Sequence, residues 1–367
     1  MAEPIAPAAT LPGHRPPPFY CPVPSAVHPQ VRRIEERALD WLEARGVYAD
    51  DVERAWNAAT HAAEFSCRLA PYGDEDRLVL FAQWSYWLFA LDDDRLDVEP
   101  AAGRCPEIVD LGLRLVRCLE APGCGLLGTG PTAAALDDLV ARTVPVAGEV
   151  RYRRLVDGVR DLVLGVAWQS GNAGRRVLPT PAEYIPGRIS DVGTRFDAAF
   201  TEIANDIEVP GVSLYSAPVR ALTELTGFIA ACDNDLLSYA KENGPGAQGQ
   251  NMVTVLAHHH RCPPEEAVTR AVALRDRAMT LFLRLREQVL RTAGPDLRGY
   301  LGGLGHWIAG NIRWSDTAPR YASPRRLHRL PVPGATLGVT WRDTPTDSRG
   351  GAPGIPTVDW WWDQLDC

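Results

Sequence analysis

The chain has 367 residues, 46% of them hydrophobic and 23% charged, with a formal net charge of −8 and a pI near 5.6. This composition suits one large or two modest globular cores and excludes a disordered polymer and a broad basic face for nucleic acid. Eight cysteines without a CxxC pair, and no charged-then-apolar export signal, fit reduced thiols in a cytoplasm.

Residues 1–24 carry many prolines, Pro16, Pro17 and Pro18 among them, and too little periodic apolar content to offset the entropy of ordering. They read as a flexible leader. From about His28 onward, apolar residues recur every three or four positions in VRRIEERALDWLEARG, DVERAWNAATHAAEFSCRLA and DEDRLVLFAQWSYWLFALDDDRLD, with Gly and Pro between the runs. The uncharged stretch Leu78 to Leu91 has 14 residues, a buried core helix rather than the ~20 of a membrane span.

That run ends in the first polar cluster, Asp92, Asp93, Asp94 and Asp97. On a helix Asp93 and Asp97 share a face, and Asp94 is three from Asp97, so carboxylates converge where the helix dipole already disfavours negative charge. A divalent cation would relieve the repulsion. The segment lacks the glycine and terminal glutamate of a calcium loop.

Helical patterning continues at 148–170, 196–207, 217–242, 263–292 and 296–315, and no series of alternating strands appears. The expected fold is an all-α, single-domain helical bundle over residues 25–322. Pro186, Gly187 and Gly193 bracket Arg188 to Asp191, so a helix break there would aim a guanidinium and backbone groups into a cavity.

The second polar cluster, Asn234, Ser238 and Glu242 in NDLLSYAKE, falls at i, i+4 and i+8 and lines one helical stripe with oxygen ligands. Hard oxygen donors of this kind suit Mg²⁺, whose shell is often completed by substrate phosphates. Lys241, the only lysine among 38 basic residues, precedes Glu242 and would reach phosphate as a point charge.

Three consecutive histidines, His258 to His260, point about 100° apart on a helix and read as solvated rather than metal-binding. Residues 323–367 are rich in turn formers and read as an irregular tail, with Trp360, Trp361 and Trp362 a patch for docking on the bundle. No dinucleotide-binding, Walker or nucleophile-elbow motif occurs.

Taken together, DDDRLD resembles the aspartate-rich motif, and NDLLSYAKE the Asn-Ser-Glu magnesium motif, of bacterial class I terpene synthases. FALDD puts Asp92 and Asp93 in the leading positions, whereas the spacing to Asp97 puts Asp93 and Asp94 there; both registers stay open. Arg188, 46 residues before Asn234, resembles the diphosphate-sensing arginine, with Asp191 as linker and Val192 at the effector position, where a smaller residue is common. Arg320 and Tyr321 resemble the terminal Arg-Tyr pair, and Trp314 an aromatic placed against the reacting cation.

The resemblance implies a bundle with an apolar central cavity and three magnesium ions gripping the diphosphate of a linear isoprenoid, helped by Arg188, Lys241, Arg320 and Tyr321. The implied reaction is ionisation and cyclisation to a cyclic terpene, with farnesyl diphosphate favoured and geranylgeranyl diphosphate or a shorter substrate open. Aromatic faces for the cation would come from Phe89 and Trp314 first, then Trp84, Trp87, Phe196, Phe200 and Trp307. A chain-elongating prenyltransferase would carry a second aspartate-rich run where NDLLSYAKE stands, and a noncatalytic isoprenoid-diphosphate binder would bind without turnover. A prenyl diphosphate is the expected partner, without nucleic acid or a membrane span, and a homodimer is left open.

Overall fold

The computed structural model describes residues 15–48, 50–91, 104–242, 250–322 and 330–366, with the backbone alone for 240–242. In chain order its helices are α1 (Val31–Arg45), α2 (Asp51–Ala58), α3 (Ala62–Leu69), α4 (Glu75–Leu91), α5 (Cys105–Glu120), α6 (Pro131–Arg175) and α7 (Pro181–Asp191). They continue as α8 (Thr194–Ala204), α9 (Gly211–Leu214), α10 (Ala217–Glu242), α11 (Met252–His260), α12 (Pro264–Leu290), α13 (Pro295–Thr317) and α14 (Pro319–Ala322). The only strands among the described residues are β1 (Phe19–Tyr20) and β2 (Trp341–Arg342), and the fold is the expected all-α bundle.

Helix starts follow from local chemistry. Asp50 caps α2 by accepting from the Val52 and Glu53 amides, Thr180 and Glu183 form a capping box at α7, and Pro264 and Pro295 occupy the first turns of α12 and α13, where no amide partner is needed. Within α6, Gly148 (φ 69°, ψ 171°) breaks the helix into two stretches, three residues after Pro145.

In α4 every residue from Leu78 to Trp87 is buried, as its uninterrupted apolar run requires. Trp84 and Trp87 pack edge-on at 6.0 Å, and Phe81, Phe196 and Phe200 complete an aromatic cluster between α4 and α8. Trp84 Nε1 donates to Thr143 Oγ1 at 2.8 Å and Trp87 Nε1 to the Thr132 carbonyl at 3.0 Å, so these rings serve as core. No helix among the described residues is long and apolar enough to cross a membrane.

The leader and tail are tied together, which corrects the reading of residues 1–24 as flexible throughout. Phe19 and Tyr20 pair in parallel with Trp341 and Arg342, and Phe19 is buried. The tail then docks along α10 and α12 and ends in a 3-10 helix, Asp359–Gln364. Trp361 lies 5.7 Å from Phe228 and donates to Glu224 at 2.9 Å, Arg277 sits over Trp362 at 5.8 Å, and Asp276 accepts from the Thr346 amide and hydroxyl. These partners lie far away in sequence, so composition alone reads such a segment as irregular.

Candidate active site

The break between α7 and α8 is where the site begins. Val192 caps α7 with its amide on the Arg188 carbonyl, and Gly193 takes φ 78°, a left-handed conformation that glycine adopts at no steric cost. The turn presses on α6 so closely that a Cβ at Gly165 would lie 2.5 Å from the Asp191 nitrogen. Two backbones in contact hold the break in place.

From this turn the Arg188 guanidinium reaches three oxygens. Nη1 donates to Asp191 Oδ2 at 2.7 Å, Nε to Asp235 Oδ1 at 3.0 Å, and Nη2 to Asn234 Oδ1 at 2.7 Å. The planar fork thereby joins the helix break to α10, a geometry that a lysine cannot copy. At the other end of the same carboxamide, Asn234 Nδ2 donates to the Tyr321 hydroxyl at 2.9 Å. Arg188, Asp191, Asn234 and Tyr321 therefore form one connected network.

One helical turn along α10, the Ser238 hydroxyl donates to the Asn234 carbonyl at 2.8 Å. Its proton is thus engaged and its lone pairs remain for an acceptor role. Lys241 and Glu242 continue the helix, and their side chains lie outside the described residues. Asp92, Asp93, Asp94 and Asp97 also lie outside them, just past the described end of α4 at Leu91.

An aromatic group adjoins Tyr321. Trp314, held by Nε1 on the Thr60 carbonyl at 2.6 Å, lies 5.3 Å from Tyr321 and 5.9 Å from Phe89, with the Phe89 ring nearly parallel. The Arg320 guanidinium lies 4.8 Å from the Phe89 centroid and 5.8 Å from that of Tyr321. The Phe89 ring thus packs in cation–π contact with Arg320. Val192 stands at the break itself, and Trp307 is buried in α13. His258, His259 and His260 are exposed at the end of α11, away from this network.

Two carboxylates escaped the sequence reading. Asp235 accepts from Arg188 Nε, from the Tyr184 hydroxyl at 2.7 Å and from the Met252 amide at 2.8 Å, so it anchors the arginine and fixes the start of α11. Asp233, on the opposite side of α10, receives both arms of Arg275 at 2.7 and 3.1 Å. Burial pushes the Asp233 carboxyl up to about 6, while the facing Arg275 lowers it against that burial and keeps the pair ionised at neutral pH. The run Asp233-Asn234-Asp235 was the available signal: three polar residues in succession on a buried helix need partners on several sides.

The donors fit a hard cation. Asn234 Oδ1 already accepts from a positive group, and the Ser238 hydroxyl oxygen lies one turn away on the same stripe. No cluster of three His, Cys, Asp or Glu side chains suited to a metal occurs among the described residues.

Residues 83–280 match the family described as "Terpene synthase family 2, C-terminal metal binding". Spiroviolene synthase of Streptomyces violens is 38% identical over 95% of this chain and 96% of its own. A (+)-T-muurolol synthase of Streptomyces clavuligerus, named as (2E,6E)-farnesyl diphosphate cyclizing, is 29% identical over 94% of this chain and 81% of its own. The crystal structure of SVS_A2, a protein from ancestral sequence reconstruction, superposes with a TM-score of 0.84 at 38% identity, covering 95% of this chain and all of that one.

Proposed function

The chain belongs to the bacterial class I terpene synthases, and from that premise we propose that it ionises farnesyl or geranylgeranyl diphosphate with magnesium and closes the allylic cation into a cyclic terpene, releasing diphosphate. The observation that carries the proposal is the Arg188 guanidinium shared between Asp191 at the helix break and Asn234 on α10. Farnesyl diphosphate draws support from the T-muurolol synthase relative; the headgroup network itself is indifferent to chain length.

Asn234, Ser238 and Glu242, together with Asp92, Asp93 and Asp97, would hold the magnesium. Bound there, it supplies Lewis-acid stabilisation of the departing diphosphate.

The chain's own groups do the rest. Arg188, Lys241, Arg320 and Tyr321 bind diphosphate oxygens, Arg188 giving up its hold on Asn234 Oδ1 as it turns to the new anion. Asp191 ties that movement to the backbone at Val192, so that headgroup binding is felt at the break. Phe89 and Trp314 present ring faces worth ~0.5–2 kcal/mol each to a passing cation and exclude the water that would trap it. The final proton goes to the retained diphosphate or to a carbonyl, since no dedicated base is evident among the described residues.

Purified protein incubated with C10, C15 and C20 prenyl diphosphates and Mg²⁺ should yield a cyclic hydrocarbon or alcohol by mass spectrometry, and chelator should abolish it. An elongated diphosphate, or binding without turnover, would overturn the reading.

A further inference from the structure

Two thiols outside the headgroup network meet at the end of α5. Cys118, on the last turn of that helix, is 5% exposed, Cys124 is exposed in the turn that follows, and their Sγ atoms lie 3.4 Å apart. Among the seven described cysteines no other two are bonded to each other.

One partner is fixed and the other is free to move. The Leu119 carbonyl accepts from the Tyr152 hydroxyl at 2.7 Å, and Glu120 accepts from Arg153 and Arg160 of α6 at 3.1 and 2.7 Å, which fastens the last turn of α5 and Cys118 with it. Cys124 sits between Gly123 and Gly125, its amide on the Ala121 carbonyl at 3.1 Å. Adjoining residues apart, no atom lies within 4 Å of where a Cβ would stand on either glycine, so the turn has open space around it. A shift of about 1.4 Å would bring its sulfur from 3.4 Å to the ~2.0 Å of a disulfide. Burial, with the bond to Cys124, pushes the Cys118 thiol above its usual range and keeps it protonated, whereas Cys124 stands where a dissolved oxidant arrives first.

We propose that Cys118 and Cys124 form a modification site, a dithiol that a hydroperoxide converts reversibly into an intramolecular disulfide. The terminal peroxide oxygen passes to Cys124, which becomes a sulfenic acid while the peroxide is reduced to an alcohol or water. The Cys118 sulfur then attacks the Cys124 sulfur, the S–O bond breaks, and the hydroxyl leaves with the Cys118 proton as water. A small thiol restores the pair by exchange. The site is independent of the terpene synthase reading.

The test treats the full-length protein with stoichiometric hydrogen peroxide, removes the excess with catalase, blocks remaining thiols with iodoacetamide in denaturant and digests with trypsin, which leaves both cysteines in the peptide 118–142. Mass spectrometry should find that peptide unalkylated and lighter by two hydrogens, with both alkyl groups appearing when dithiothreitol precedes the iodoacetamide. The peptides of Cys67 and Cys232 should be alkylated throughout. In Cys124→Ser, whose substitution is at an exposed position, Cys118 should remain reduced at the same dose. Alkylation of both thiols in the treated wild type, a Cys124 that accumulates as sulfinic acid, or a disulfide-linked dimer on a non-reducing gel would overturn the proposal. So would oxidation of Cys118 in the serine variant, which would show that the exposed sulfur is not the point of attack.

Discussion

Arg188 and Asn234, 46 residues apart, meet at 2.7 Å, with the arginine donating to the side-chain oxygen that the sequence motif assigns to metal. The proposed function asks both groups to meet the metal-bound headgroup, so on that reading their mutual bond has to loosen. If headgroup binding exchanges these partners as proposed, variants that alter the fork should affect turnover more than fold.

Arg188→Lys keeps the charge and loses the fork. Losing one or two charge-assisted hydrogen bonds, each about 1.5–3 kcal/mol, should slow diphosphate release at least ~tenfold. A phosphate-release assay checks this, with circular dichroism to show a retained fold.

Gly165→Ala tests the contact between α6 and the break. The added Cβ meets the backbone of Asp191, not a movable side chain, so the clash is relieved only by displacing the turn that carries Arg188. Turnover should fall sharply and Tm should drop, by about 1–3 kcal/mol in stability. Unaltered kinetics would show that the break tolerates movement.

Glu35, on α1, accepts a hydrogen bond from Tyr86 on α4, and burial pushes its carboxyl up to about 7. Because the folded protein holds this proton more tightly than the unfolded chain, which releases it near pH 4.5, the contribution of Glu35 to stability is fully present below that pH. That contribution is lost as pH rises through that interval to about 7, by up to about 3 kcal/mol. Glu35→Gln should flatten this slope in denaturant titrations between pH 5 and 8; an unchanged slope would refute the assignment.

Trp361→Ala removes a buried ring from Phe228 and a donor from Glu224, both on α10. A loss of about 3 to 5 kcal/mol is expected by thermal or chemical denaturation. Because the same helix carries Asn234 and Ser238, the Mg²⁺ concentration for half-maximal activity should rise as well.

Much of this architecture was legible in local pattern. The uncharged run Leu78 to Leu91 announced a buried core helix, and Asn234, Ser238 and Glu242 at four-residue spacing announced an oxygen stripe. Arg188 was singled out by the family resemblance, 46 residues before Asn234, with Gly187 and Gly193 in support, and the structure brings it to Asn234 and, through that amide, to Tyr321. Asp235 was passed over because adjacent residues on a helix differ by 100°, and which of them faces α7 depends on how α10 is rotated in the bundle.

By itself the sequence determined the most strongly periodic helices and the chemical character of each polar stripe, since these depend on spacing and on residues a few positions apart, whereas α5, α7 and the first half of α6 were not read from it. Only the tertiary structure decided that Asp233 pairs with Arg275, that Asp235 anchors Arg188, and that leader and tail meet through Phe19 and Trp341. Such contacts are chosen by the packing of whole helices against one another. The entropy of closing long loops is repaid only when many of them form together, and no local pattern records that balance.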